Sequence, residues 1–347
     1  MNTNFQHLLP ELQNILDEEC RSGNECGCQL AIYHHGKIVI DIYSGMFSQE
    51  SNIPLPKNAL FPIFSAGKPV LSALALILID RGIVSLDTKI GELWQDFAVP
   101  EKSGITLEHL LSHRAGLYLL PPSERSEIAN WELMCDRVGK MLPRNIPGKV
   151  CRYHPLTFAW LVGHTLELAS GKSLPDLLKE YILIPCGVQN ELFFGIDDKN
   201  ISRLVPVDDA LSPQKPSWLH TMMHDEVLRR CCIPSFNGIA SARGLAKFYA
   251  SLRGDLISEK LFDYAVGKLF RDTNDPVKPG SWEKFALGFV LESNVAGHGG
   301  AAGSEGFYYA AEDVAVGFVK NRLRENFMIH PVRDRISAAL GLPLRHW

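Results

Sequence analysis

The sequence carries no large excess of either charge. Its 347 residues include 35 lysines and arginines against 39 aspartates and glutamates, which leaves a net charge of −4 when histidine is neutral. Such a balance provides no basic surface for tracking phosphates and no attraction to anionic lipid. We therefore expect no nucleic acid among the partners of this protein.

No apolar segment reaches the length of a membrane span. The longest nearly apolar stretch, residues 70–79, supplies about half of the ~20 residues that a transmembrane helix needs, so it is interpreted as a buried helix. Residues 1–19 do not follow the basic, apolar and small-residue order of a secretory signal. We expect no membrane span and a cytoplasmic location, unless a leader peptide has been removed from the chain.

Cysteine is too sparse for a disulfide framework. The chain has eight cysteines, whereas small disulfide-stabilised domains concentrate theirs in a short sequence. Without a signal peptide we expect these thiols to be reduced. Cys26 and Cys28 lie on a strand pattern and are interpreted as core or lining residues.

Signatures of several other enzyme classes are missing. The sequence contains no G-x-S-x-G, no Walker A and no G-x-G-x-x-G between a strand and a helix, which argues against an α/β-hydrolase elbow and against a nucleotide-binding loop. His220 and His224 have the spacing of metal ligands on a helix, but no H-E-x-x-H accompanies them, so packing or surface histidines are favoured. We expect no metal and no cofactor.

The composition favours a folded chain with a sizeable core. Hydrophobic residues make up 46% and charged residues 21% of the sequence, and the length favours two lobes. The apolar periodicity predicts these elements in chain order: a helix over 5–16, a hairpin of 29–34 with 37–43, a loop over 52–62, a buried helix over 65–81, broken helices over 86–183, a loop-rich excursion over 204–234, a helix over 242–252, strands over 285–291, 306–310 and 314–319, and a last helix over 332–340. The chain ends would then form one sheet domain, residues 1–75 with 236–347, around a mostly helical domain, residues 76–235.

Ser65 and Lys68 form an S-x-x-K sequence at the start of the predicted buried helix, and Pro69 follows where first-turn amides need no partner within the helix. Residues three apart share a helix face, so the Lys68 amine can reach the Ser65 hydroxyl. A partly desolvated lysine has a lowered pKa and can take a proton, which makes this an arrangement for an activated serine. The alternative is a helix-capping Ser65 with a surface Lys68. The same pattern begins at Ser212 and at Ser281, in sequence typical of loops.

Tyr153 is a candidate second base. It lies just before the helical pattern of residues 158–168. A lysine ammonium nearby lowers the pKa of a tyrosine, which would let its phenolate exchange a proton with Ser65. The alternative is an ordinary core or rim tyrosine.

His298-Gly299-Gly300 lies at the edge of a strand or in the turn that enters one. Glycines allow the backbone of a ligand to approach closely. An amide of this segment and the amide of Ser65, at a helix N-terminus, could together hold a developing oxyanion. The alternative is that Gly299-Gly300 is a simple turn.

These three elements, taken in this order, resemble the serine β-lactamase and penicillin-binding-protein superfamily, and most of all its class C-like esterase branch, the family VIII carboxylesterases. Residues 105–117 and 237–243 also look like connecting motifs of that superfamily, so the resemblance covers nearly the whole chain. It implies an α+β fold of the β-lactamase/transpeptidase type, with an antiparallel sheet flanked by helices and an inserted helical lobe. The active site would lie at the interface of the two domains.

The resemblance also implies roles for individual residues. They are the acylated nucleophile Ser65, the shared bases Lys68 and Tyr153, the oxyanion-hole amides of Ser65 and Ala301, and the substrate-binding residues His298, Gly299 and Gly300. No metal or other cofactor takes part in such a mechanism.

Two departures from the β-lactamase pattern bear on the substrate. Pro155 stands where a Tyr-x-Asn motif has its asparagine, and His298 stands where a Lys-Thr-Gly motif has its lysine. The first change removes an amide that binds an acylamino group, and the second replaces a permanent cation by an imidazole with an ordinary pKa near ~6.5. We expect a serine hydrolase that forms an acyl-enzyme and turns over small esters far better than cephalosporins at neutral pH. Any cephalosporin activity should improve, relative to that on esters, in mild acid.

Other functions stay open at this point. One is β-lactamase or D-amino-acid peptidase activity at the same serine, lysine and tyrosine. Another, of a different class, is a catalytically idle protein of the same fold that serves in binding or assembly. The oligomeric state and the physiological substrate, a small ester or amide, do not follow from the sequence.

Overall fold

The computed structural model describes residues 5–50, 52–210, 215–267, 270–271, 284–292, 295–324 and 331–343. The α-helices are α1 Leu9–Arg21, α2 Lys68–Asp80, α3 Ile90–Leu93, α4 Leu107–Leu111, α5 Arg125–Ile128, α6 Trp131–Gly139, α7 Phe158–Ser170, α8 Leu174–Leu178, α9 Ile184–Cys186, α10 Trp218–His224, α11 Glu226–Arg230, α12 Ala242–Ala250, α13 Glu259–Gly267 and α14 Pro331–Ala339. Short 3₁₀ turns lie at Phe5–Leu8, Ser65–Gly67, Gln95–Phe97 and Ile201–Arg203, and a π-helical turn lies at Lys179–Leu183.

The strands are β1 Gly27–His34, β2 Lys37–Gly45, β3 Phe61–Phe64, β4 Leu192–Phe194, β5 Asp208–Asp209, β6 Gly238–Ala240, β7 Phe270–Arg271, β8 Lys284–Phe285, β9 Val290–Glu292, β10 Val295–Gly299, β11 Glu305–Tyr309, β12 Val314–Lys320 and β13 Arg322–Leu323. They form three sheets. Strands β13 and β5 pair in parallel as a two-stranded sheet of their own.

A large antiparallel sheet joins the two ends of the chain. Its eight strands lie in the order β2, β1, β12, β11, β10, β9, β8 and β7. The hairpin of β1 and β2 turns at His35 and Gly36, whose φ angles of 49° and 69° are both left-handed, as the tight turns preferred in hairpins require. On its other edge β1 pairs with β12, where Cys28 lies opposite Lys320. The prediction that the two ends of the chain build one sheet is therefore confirmed.

Helices cover both faces of this sheet. Strand β12 is buried along its whole length. Its alternate side chains point to opposite faces of the sheet, and helices cover both of those faces. Val316 and its neighbours on one face pack in a core with Leu12 of α1 and Ile336 of α14. Ala315 and Val319 on the other face share a core with helix α12. The predicted antiparallel sheet flanked by helices is therefore confirmed.

A second, smaller sheet leads into the candidate site. It consists of β3, β6 and β4 in that order, and its strands are antiparallel. Strand β3 overlaps the end of the loop predicted for residues 52–62. Pro62 is tolerated there because β3 is an edge strand, where a residue without an amide proton interrupts no ladder. The chain passes from β3 directly into the 3₁₀ turn at Ser65 and then into α2.

The middle of the chain is helical, with one correction to the sequence-based prediction. The segment 204–234, predicted as an irregular excursion, contains helices α10 and α11. The side chain of Ser217 caps the first of them, and that of Asp225 caps the second by accepting from the amides of Val227 and Leu228. The division into domains at residues 75 and 235 stays a prediction. Across the ranges given above, no helix combines the length and apolarity needed to cross a membrane.

Candidate active site

Ser65 and Lys68 lie at the entrance of the buried helix α2. The Lys68 Nζ atom is 3.0 Å from Ser65 Oγ, and it donates a hydrogen bond of 2.7 Å to the carbonyl oxygen of Ser235. Lys68 is fully buried, while Ser65 is half-buried. The alternative of a surface lysine is therefore wrong. Instead, a buried amine lies within hydrogen-bonding distance of a reachable serine hydroxyl.

The residue before Ser65 has a strained backbone. Phe64 ends β3 with φ of 47° and ψ of −126°, a conformation that favours glycine. Conformations of this kind cost about 1–3 kcal/mol and persist only where the surrounding structure enforces them. The Phe64 side chain is buried, and its ring contacts that of Phe236 at 6.4 Å between centroids. The strained link turns the chain from strand to helix within one residue and leaves Ser65 at the turn.

Tyr153 lies beside Lys68, as the sequence analysis requires of a second base. The Lys68 Nζ atom is 4.9 Å from the centroid of the Tyr153 ring. The ring stacks on Phe285 with centroids 5.5 Å apart and planes at 4°, and it lies 5.8 Å from the ring of His298. The structure thus brings together Lys68, Tyr153 and His298, which are far apart in the sequence.

His298 is on β10 and faces the same cluster. Its Nδ1 atom pairs with the carbonyl oxygen of Gly299 at 2.7 Å, so the neutral ring carries its proton on Nδ1. Burial, and then the nearby charge of Lys68, lower the pKa of His298 to about 3. The imidazole is therefore neutral in mild acid, and the expectation that it supplies a positive charge near pH 6.5 is wrong.

Gly300 brings the turn after β10 against the segment that leads into Ser65. A methyl group added to Gly300 would lie 2.1 Å from the carbonyl oxygen of Ile63, closer than any side chain allows. The turn is closed by a bond of 2.7 Å from the Gly300 amide to the carbonyl of Ser304. Ala301 follows directly, so the two amides predicted for the oxyanion hole lie on adjacent segments. A methyl group on Gly299, by contrast, would meet nothing within 4 Å.

Three residues of this cluster were not predicted from the sequence. The carbonyl of Ser235 accepts from Lys68, but a main-chain carbonyl leaves no signal in a sequence. Phe285 was assigned only to a strand, yet its ring stacks on Tyr153. His113 was noted only within a connecting motif, and its ring lies 5.1 Å from that of Tyr153. Pro155, in contrast, is exposed two residues after Tyr153.

The remaining candidates do not join the cluster. His220 and His224 stack on each other at 3.9 Å, and within the described ranges no group of three or more His, Cys, Asp or Glu residues is arranged to hold a metal. Cys26 and Cys28 are buried, as predicted for core residues. The alternative S-x-x-K sequences begin at Ser212 and Ser281, which lie outside the described residues.

Comparison with known proteins identifies the family. The family model described as Beta-lactamase matches residues 12–340. Esterase/beta-lactamase LipL of Mycobacterium tuberculosis (strain ATCC 25618 / H37Rv) is 24% identical over 333 residues, an alignment that covers 86% of this chain and 77% of LipL. A crystal structure of a family VIII carboxylesterase has a TM-score of 0.87 at 22% identity, with 96% of each chain covered. A penicillin-binding protein homologue from Caulobacter crescentus has a TM-score of 0.83 at 23% identity, with 96% of this chain and 95% of that one covered.

These comparisons confirm the resemblance drawn from the sequence. The family match runs through nearly all the elements described above, from α1 to α14. The solved structures share the fold over almost the whole length of both chains. The chain therefore belongs to the beta-lactamase family of serine hydrolases.

Proposed function

We propose that this protein is a carboxylesterase for small esters and that Ser65 is its nucleophile. The observation that carries the proposal is the 3.0 Å distance between Lys68 Nζ and Ser65 Oγ, with the amine buried at the start of α2. A serine hydroxyl attacks an ester only when a nearby base takes its proton. Lys68 is close enough to do so directly. Tyr153, whose ring centroid lies 4.9 Å from Lys68 Nζ, is assigned a share of the base role.

The geometry supports a two-step reaction. Lys68 and Tyr153, acting together, take the proton of Ser65 while its Oγ bonds to the carbonyl carbon of the ester. The amides of Ser65 and Ala301 donate to the carbonyl oxygen as it becomes negative. The bond to the alkoxy oxygen then breaks, and the alcohol leaves with the proton. Water attacks the acyl-serine in the same way and releases the carboxylic acid.

Two features favour an ester over a β-lactam. Pro155 has no side-chain amide with which to hold an acylamino group. His298 is neutral because its pKa is about 3, so it provides no cation for the carboxylate of a β-lactam. The two interactions that are missing here would add binding energy for a β-lactam, whereas a small, uncharged ester does not need them.

A second candidate activity is hydrolysis of β-lactams or of D-amino-acid peptides at the same serine. It is supported by the names of two similar proteins, the esterase/beta-lactamase LipL and the penicillin-binding protein homologue. The same nucleophile and bases would serve, since only the groups around the acyl chain differ. An idle binding protein is disfavoured because Ser65, Lys68 and Tyr153 are all present and adjacent.

A labelling experiment tests the nucleophile. We expect one fluorophosphonate adduct by intact mass, located at Ser65 by peptide mapping, and turnover of p-nitrophenyl acetate. Ser65→Ala should abolish both while the protein stays folded. Ser72→Ala is the matched control, because Ser72 lies further along α2, where its hydroxyl bonds to the carbonyl of Lys68 at 3.1 Å. Turnover by Ser65→Ala at the wild-type rate would refute the assignment.

A further inference from the structure

His113 occupies a position where glycine is the usual residue. It follows the C-terminal cap of α4 with a left-handed φ of 59°, and it is 1% exposed. Helices commonly end on a left-handed residue, and glycine is the usual choice because other residues pay roughly 1–2 kcal/mol there. The same loop uses Gly116 at its next left-handed position, where φ is 76°. The side chain of His113 must therefore contribute something that glycine does not.

His113 holds the main chain on both sides of Tyr153. The amide of Arg152 donates to the carbonyl oxygen of His113 at 2.9 Å. The amide of His154 donates to the Nδ1 atom of His113 at 3.3 Å. The first bond needs only the backbone of His113, whereas the second needs its side chain. One residue thus fixes the amides before and after the candidate base.

The His113 ring also confines the ring of Tyr153. The two rings meet edge to face, with centroids 5.1 Å apart and planes at 73°. The ring of His113 also meets the ring of Phe285 edge to face, with centroids 4.6 Å apart. The ring of Phe285 in turn stacks on that of Tyr153. Two of the rings around Tyr153 therefore pack against each other, which limits rotation of the tyrosine away from Lys68.

The acceptor on His113 is available only in the neutral imidazole. Since Nδ1 accepts from His154, the single ring proton belongs on Nε2. Burial, the largest cause, keeps the pKa of His113 well below its ordinary value of 6.5. The side-chain bond that anchors the segment of Tyr153 is therefore kept at neutral pH.

We infer that His113 is a positioning residue for Tyr153, which it holds beside Lys68 by anchoring the amide of His154 and packing against the tyrosine ring. The inference rests on the proposed function, because it concerns the base of that reaction. His113 is buried and is proposed to act through Tyr153.

The test compares two replacements that both accept a left-handed backbone. His113→Gly removes the acceptor and the ring, whereas His113→Asn keeps a side-chain oxygen that can accept from the His154 amide. We expect His113→Gly to lower kcat for p-nitrophenyl acetate about 10²-fold with little change in KM, as for a misplaced catalytic group. We expect His113→Asn to recover about tenfold of that loss, the value of one hydrogen bond. If His113→Gly does not fold, His113→Asn is compared with the wild type instead, because it loses the ring, keeps the acceptor and accepts a left-handed backbone.

A double variant separates positioning from general support of the fold. In a Tyr153→Phe background the catalytic hydroxyl is already missing, so His113→Gly should lower kcat little further. Equal losses in the two backgrounds would overturn the inference, as would a His113→Asn variant that is no better than His113→Gly. Thermal unfolding of each variant confirms that folded protein is compared.

Failure of this inference is distinguishable from failure of the proposed function. If wild-type protein does not hydrolyse the ester, or if Ser65→Ala hydrolyses it equally well, the proposed function is refuted. If Ser65 is required and His113→Gly retains the wild-type kcat, only the role of His113 is refuted.

Discussion

Lys68 and Tyr153 contact each other, so their contributions to catalysis should not be independent. We expect Lys68→Ala and Tyr153→Phe each to lower kcat/KM for p-nitrophenyl acetate by roughly 10²- to 10⁴-fold, the range of general acid–base catalysis. The double variant should be little worse than the poorer single variant, because either change disables the same proton transfer. Losses that multiply in the double variant would mean that the two side chains act separately.

A second prediction concerns the neutral side chain of His298 and the choice between esters and cephalosporins. Because the pKa of His298 is about 3, its charge does not change between pH 5 and pH 8. Protonation of the shared base slows esters and cephalosporins alike, so we expect the ratio of their kcat/KM values to be low and constant over this range. The ratio of kcat/KM values is measured by parallel assays with a chromogenic cephalosporin and p-nitrophenyl acetate. A ratio that rises on acidification would show that His298 becomes charged in the enzyme.

Strand β10 and the turn after it provide a test with a built-in control. Gly300→Ala places a methyl group 2.1 Å from the carbonyl oxygen of Ile63, so the turn must move away from β3 and take the amide of Ala301 with it. We expect about a 10²-fold loss in kcat, as for loss of one oxyanion donor. Gly299→Ala, whose methyl group meets nothing within 4 Å, should melt at the wild-type temperature. Wild-type kcat in Gly300→Ala would refute the proposed oxyanion hole.

Elements with a clear apolar pattern were predictable, and those without one were not. Helix α2 follows from an apolar run that continues on all faces and is buried from residue 68 to residue 78, and the hairpin of β1 and β2 follows from two β-rich runs on either side of His35-Gly36. Strand β3 was missed because Pro62 argues for a loop unless the strand is known to lie at an edge. Helices α10 and α11 were missed because they are short, and their caps at Ser217 and Asp225 lie in loop-like sequence.

The residues of the site were predictable to different degrees. Ser65 and Lys68 are three apart across the 3₁₀ turn that leads into α2, so local helical geometry alone predicts their contact, which the structure reproduces at 3.0 Å. Tyr153 and His298 reach them only through the fold. The sequence offers each as a candidate, but that they meet at one site was implied only by resemblance to a family. The role of His113 needed coordinates, because its hydrogen bond to His154 joins residues 41 positions apart.

Buried histidines make the stability of the whole protein depend on pH. Burial is the largest cause of a lowered pKa at His113, at His154, where it falls to about 4, and at His298, where it falls to about 3. As the pH drops below about 6.5, these histidines take up protons in the unfolded chain but not in the folded one. We therefore expect the urea midpoint to fall from pH 7 to pH 4.5, because each such histidine removes up to about 1.4 kcal/mol per pH unit.

A pair of variants checks the source of this dependence. His298→Gln removes one buried titrating group, so its free energy of unfolding should fall less steeply with acidification than that of the wild type. Gly299→Ala, a neutral change on the same strand whose methyl group meets nothing within 4 Å, should leave the slope unchanged. Identical slopes in all three proteins would mean that other groups cause the acid sensitivity.

The pairing of β1 with β12 also has a consequence during synthesis. Cys28 of β1 lies opposite Lys320 of β12, so β1 is synthesised long before the strand with which it pairs. Ser65 emerges early, but the turn at Gly300 that completes its surroundings emerges late. A nascent or prematurely terminated chain that ends before Gly300 therefore carries Ser65 without the Ala301 amide, the second of the two oxyanion donors that we propose. Under the proposed function, such a chain is not expected to hydrolyse esters until the last strands of the large sheet have been translated.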